Sequence, residues 1–113
     1  MRTIIAGCRT ATDFQDVQKA IEDSEFDISV VISGAARGAD KLGEEWAARN
    51  NISIERYPAN WDKYGRSAGP IRNGEMAKVA DALIALWDGQ SRGTKNMIET
   101  AEKKGLKVHI HYI

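Results

Sequence analysis

The stretch Ser29-Val30-Val31-Ile32-Ser33-Gly34-Ala35-Ala36-Arg37-Gly38-Ala39-Asp40 decides the fold. A β-branched run breaks into a loop of small residues and glycine. It then hands over to a helical pattern with Leu42, Trp46 and Ala47 on one face. The same hand-over recurs on both sides. Arg2 to Ala6 is an apolar, β-branched strand, followed by Thr12-Asp13-Phe14-Gln15, a capping box, and by Phe14, Val17, Ala20 and Ile21 at helical spacing. Downstream, Ile52 to Tyr57 alternates like a strand with one wet face, and Pro58 to Gly69 reads as a long irregular loop. Pro70 suits the first turn of a helix whose core face is Ile71, Met76, Val79 and Ala80. Leu83 to Trp87 reads as a buried strand, and a helix runs from Thr94 until Gly105 closes it. In the last strand, Val108, Ile110 and Tyr112 alternate with Lys107, His109 and His111, and both histidines are expected on the surface.

Strict alternation of strands and helices predicts right-handed crossovers, hence a Rossmann-like α/β three-layer sandwich with helices on both faces of a parallel sheet. Strands one, two and four are continuously apolar and belong in the centre; three and five alternate and belong at the edges. The predicted order is 3-2-1-4-5. The chain direction then switches between strands one and four, and the crevice beyond their carboxyl ends is the expected ligand site.

Composition narrows the function classes. A chain of 113 residues, 42% hydrophobic and 28% charged with 2 Pro, reads as one globular domain spanning 1–113 rather than a disordered one. Sixteen basic residues balance 16 acidic ones, so no global field holds a polyanion. The apolar run ending at Trp87 falls far short of the ~20 residues of a membrane span. One Cys and two His provide neither a disulfide nor a zinc-ligand spacing, and no metal or cofactor is expected. A cytoplasmic location follows as the expectation.

The loops at the carboxyl end carry a bias. Of eight arginines, Arg9, Arg37, Arg66, Arg72 and Arg92 fall there, whereas most of the eight lysines lie on helices or in the last strand. Guanidinium groups bind phosphate and carboxylate in a planar, two-pronged way that an ammonium cannot. Gly7, Gly34, Gly38, Gly65, Gly69, Gly89 and Gly93 accompany them, and glycine lets backbone amides approach an oxyanion at helix N-termini. The competing reading is that the glycines only make tight turns while the arginines pair with Asp40, Asp62 and Asp88. Tyr57, Trp61 and Tyr64 could stack on a base or simply close the core; Trp46 and Trp87 read as structural. Neither G-x-x-x-x-G-K-[ST] nor G-x-G-x-x-G occurs.

The segments Ser33 to Asp40, Gly69-Pro70-Ile71-Arg72-Asn73, Ala80 to Ala85 and Gly93-Thr94 together resemble the SLOG superfamily of Rossmann-like domains, closest to its small YspA-like branch. The resemblance spans essentially the whole chain. Its members include DprA, which binds single-stranded DNA, and the lonely-guy phosphoribohydrolases, which cleave a base from a nucleoside monophosphate; others act in bacterial conflict systems and phages. The resemblance implies a phosphate loop at Ser33 to Asp40, a functional arginine at Arg72 and a second phosphate turn at Gly93-Thr94. It also implies a catalytic glutamate three residues after that threonine, where this chain has Met97. A thioether cannot move a proton or stabilise an oxocarbenium-like centre. Glu99 stands about 200° further round the helix.

The expectation is a homo-oligomeric domain that senses or sequesters a small nucleotide-type ligand. The predicted ligand residues are Gly7, Arg9, Ser33, Gly34, Arg37, Gly38, Asp40, Trp61, Arg72, Asn73, Asp88, Gly93 and Thr94, with no catalytic residue assigned. The alternatives are an N-glycosidic phosphoribohydrolase and a single-strand nucleic-acid binder.

Overall fold

A computed structural model describes all residues, 1–113. The elements in chain order are β1 (Arg2–Gly7), α1 (Phe14–Ser24), β2 (Val30–Ser33), α2 (Ala39–Arg49), β3 (Ser53–Arg56), α3 (Trp61–Tyr64), α4 (Ala68–Val79), β4 (Ala82–Trp87), α5 (Arg92–Lys103) and β5 (Lys107–Tyr112). All strands pair in parallel in the order β3-β2-β1-β4-β5, as the strand textures predict.

Adjacent side chains of a strand point to opposite faces, and both faces are covered. Ile5, Val31, Ile84 and Leu86 pack under α1 and α2 with Val17, Ala20, Leu42 and Ala47. Ile4, Ile32, Leu83 and Ala85 pack under α4 and α5 with Met76, Met97, Ile98 and Ala101. That double burial is why the central strands are apolar without a break. No helix is long and apolar enough to cross a membrane.

The structure corrects several local expectations. Asp13, not Thr12, caps α1, its carboxylate accepting the Gln15 amide at 2.9 Å. Ser91 caps α5, which therefore starts at Arg92 instead of Thr94. The segment Pro58 to Gly69 is not all irregular. Asn60 caps the short α3 by accepting from the Lys63 amide, and a 3-10 turn over Gly65–Ser67 runs on into α4, two residues before Pro70. Finally, β5 has no wet face. Because α1 also reaches β5, His111 is half-buried with Nε2 3.6 Å from Asp16, while Tyr112 at the strand end is 66% exposed and packs beside Trp87.

Candidate functional site

A cavity of about 530 Å³ opens where the sheet changes direction, at the carboxyl ends of β1 and β4 and between α4 and α5. The β1 end contributes Gly7 and the following Arg9; α4 and the turn before it contribute Arg66, Arg72 and Asn73. The β4 end contributes Asp88, and the first turn of α5 contributes Arg92, Gly93 and Thr94. Asp40 reaches the wall from α2, and Trp61, 51% exposed, stands at the mouth.

Four arginines thus line one cavity from four different segments. None of them, nor Arg37, has a carboxylate within 4.0 Å; Arg2, Arg49 and Arg56, the remaining three, all pair with glutamates. None of the rim arginines is thus ion-paired with Asp40, Asp62 or Asp88, and only the buried Asp40 attracts one of them, Arg72, across a longer distance. Asp88 is engaged by its own turn: its Oδ1 accepts the Gln90 and Ser91 amides, both at 2.8 Å. Those amide contacts hold the carboxyl below the usual aspartate range.

Asp40, 5% exposed, accepts the Ala36 amide at 3.2 Å. Burial pushes its carboxyl up to about 6, against the opposing pull of that amide and of Arg72. Burial likewise lowers Arg72 below the usual guanidinium value; Asp40 opposes the shift and Arg9 adds to it. Arg72 is oriented by donating from Nη1 to the Gly34 carbonyl at 2.7 Å and from Nε to Asn73 Oδ1 at 3.0 Å.

Nine of the thirteen predicted residues line the cavity; Ser33, Gly34, Arg37 and Gly38 do not. The loop they belong to is folded onto protein groups. Ser33 Oγ donates to Glu44 at 2.6 Å and accepts from the Ala35 amide at 3.0 Å. Gly34 is where it is because a Cβ there would lie 2.4 Å from Arg72 Nη1 and 2.7 Å from Asp40 Oδ2. Gly38 has φ +82° and would bring a Cβ within 2.4 Å of the Cys8 carbonyl. That carbonyl accepts the amides of both Ala11 and Ala39, at 3.2 and 3.1 Å. Arg37 is exposed, outside the cavity.

On the α5 side, Ser91 Oγ accepts from the Thr94 amide and hydroxyl at 3.4 and 3.0 Å, so Thr94 is spent on the cap. The amides of Arg92 and Gly93 lie in the first turn, where no intrahelical partner exists. Met97 lines the cavity at 1% exposure, and Glu99 lies outside it. Tyr64 also lies outside, with the Lys63 ammonium over its ring.

The sequence reading missed Cys8, Met76, Ser91 and Asn96 on the cavity wall. Helical spacing held a signal for Asn96, which follows Arg92 by one turn and Gly93 by three residues. Asn73 Nδ2 donates to Asn96 Oδ1 at 2.9 Å, joining α4 to α5.

Residues 1–64 match the profile of the YspA, cpYpsA-related SLOG family. The chain is 35% identical to the gene 61 protein of Mycobacterium phage D29 over 117 residues, which span 95% of this chain and 93% of that protein. Its fold is similar to that of DNA processing protein A (DprA) from Streptococcus pneumoniae, with a TM-score of 0.77 at 18% identity. That likeness covers 96% of this chain and 49% of the DprA chain, so the chain spans about half of that protein's length.

Proposed function

The chain belongs to the YspA, cpYpsA-related SLOG family, and from that premise we propose that its switch-point cavity binds a small phosphorylated, nucleotide-derived ligand. One observation carries the reading: four of the five arginines without a carboxylate within 4.0 Å line this one cavity, Arg37 being the exception, while every arginine beyond the rim loops is ion-paired. Unpaired cations at the mouth of a cleft attract a compact anion and hold it with charge-assisted hydrogen bonds. The free amides of Arg92 and Gly93 add a helix N-terminus to the same wall. A volume of about 530 Å³ accommodates a mononucleotide-sized molecule. Trp61 supplies a flat apolar face for a base.

Met97, at the position of the implied catalytic glutamate, favours binding over bond cleavage. The biological use is then sensing or sequestering a nucleotide signal. A thermal-shift panel of mono-, di- and cyclic nucleotides tests the proposal. A specific ligand at a hundredfold its Kd stabilises by about 2.7 kcal/mol, on the order of ten degrees for a domain this small. No shift with any member of the panel refutes it, and release of free base from a nucleotide, abolished in Arg72→Ala, replaces it with hydrolysis.

A second reading, single-strand nucleic-acid binding, draws on the half-exposed Trp61 next to Arg66 at the mouth, since stacking and phosphate contacts are what such binders combine. A gel shift with oligonucleotides at two salt concentrations separates it from the first, because phosphate contacts along a strand give a steep salt dependence.

A further inference from the structure

Arg72, Asn73 and Asn96 form a chain of side-chain hydrogen bonds that crosses from α4 to α5 at the cavity wall. Guanidinium is a donor only, so the group of Asn73 that meets Arg72 Nε has to be its oxygen. Asn73 Nδ2 must then point the other way, toward α5. The atom of Asn96 that receives it has to be Oδ1, and Asn96 Nδ2 is left for something else. No side-chain nitrogen or oxygen in the molecule is both buried and unpartnered. Asn96 Nδ2 and Arg72 Nη2, which have no partner within the chain, are therefore accessible, and both residues line the cavity.

We infer that Asn73 is a positioning residue that sets two ligand-facing donors at once, the guanidinium of Arg72 and the amide nitrogen of Asn96, so that Asn96 selects a ligand bearing an oxygen acceptor. The inference rests on the ligand-binding reading of this same cavity. Asn73 is 5% exposed, and with its oxygen taken by Arg72 Nε and its nitrogen by Asn96 Oδ1 its amide has no freedom to reverse. The two donors differ in kind. Arg72 brings charge and answers to an anion; Asn96 is neutral and answers equally to a non-bridging phosphate oxygen or to a keto oxygen on a base. Its neighbours on the wall, Met76 and Met97, add an apolar floor beside it.

Titration calorimetry with inorganic phosphate and with inosine 5′-monophosphate tests the donor. Asn96→Leu keeps the size, adds no charge that would itself repel an anion and gives up the donor, and should weaken inosine monophosphate at least tenfold, with slow exchange of the Arg72 Nε proton showing that the rest of the relay is intact. Loss with both probes assigns the acceptor to phosphate, and loss with the nucleotide alone assigns it to the keto oxygen. Unchanged affinity for both overturns the inference. A ligand-free measurement tests the positioning. The Arg72 Nε proton should exchange slowly with water in the native protein, quickly in Asn73→Leu, and slowly again in Asn73→Asp, which restores the acceptor. Fast exchange in the native protein, or no response to Asn73→Leu, removes the relay. If neither probe binds the native protein, the selection by Asn96 fails while the nucleotide reading still rests on the thermal-shift panel, and the exchange measurement decides the relay.

Discussion

Two loops leave the central strands at the same end of the sheet and have opposite fates. The segment after β2, Ser33 to Asp40, is the richer in phosphate-loop signals, yet three of its amides are taken by protein groups, Ala35 by Ser33, Ala36 by Asp40 and Ala39 by Cys8, and only Ala36 and Asp40 reach the cavity wall. The segment after β4 looks less specialised, yet it leaves Arg92 unpaired and the first amides of α5 open beside the cavity. Glycine in a strand-to-helix turn therefore has two physical uses. It can admit a ligand, or it can admit another part of the protein. Which one applies depends on what stands opposite, and at Gly34 and Gly38 that is Arg72 and Cys8.

The largest expected effect tests the closed loop. Gly38→Ala puts a methyl group against a backbone carbonyl at a positive φ, and should cost about 4 kcal/mol in stability, seen as a fall in Tm well beyond ten degrees. A neutral outcome would mean that the loop is not clamped at all. Next comes Asp40. Its carboxyl, raised from 3.8 to about 6, binds its proton more tightly in the folded state. The resulting stability is fully present below about pH 4 and is lost as pH rises through about 6. Asp40→Asn should remove that loss, making the variant more stable than the native protein above pH 6 by up to about 3 kcal/mol, read from unfolding curves at several pH values.

On the open side, Arg72→Ala should weaken binding of whichever nucleotide the thermal-shift panel identifies about a hundredfold, or about 2.7 kcal/mol, by calorimetry. The smallest effects sharpen the division among the arginines. Arg56→Ala removes a partner from Glu44, 8% exposed, and should cost about 1 kcal/mol. Arg92→Ala should leave unfolding stability within about 0.5 kcal/mol, because no partner is lost. Equal losses in the two would dissolve the contrast on which the binding proposal rests.

The sheet was legible because its order follows from burial, and burial is written in the strands themselves: Ile4-Ile5 and Leu83-Ile84 must face two covered sides, whereas Ile54 in β3 need satisfy only one. The position of the cavity followed from that order. The fate of the Ser33 to Asp40 loop did not, because it turns on contacts with Cys8, Glu44 and Arg72 that are remote in sequence for all but one of them. His111 was misread for a related reason, since α1, which covers it, lies almost the whole chain away. The helical turn at Trp61 hid in a segment with a Pro at one end and two glycines at the other, a composition that ordinarily marks a loop.

The Cys8 carbonyl receives amides from two turns, Ala11 on the way to α1 and Ala39 at the head of α2. A single oxygen is thus the hinge pin of both crossovers on that side of the sheet. Arg9 is attached directly to this pin. The cavity-lining Arg9 and the starts of α1 and α2 therefore share one anchor, so the same oxygen that seats two helices also fixes where that guanidinium-bearing residue leaves the sheet.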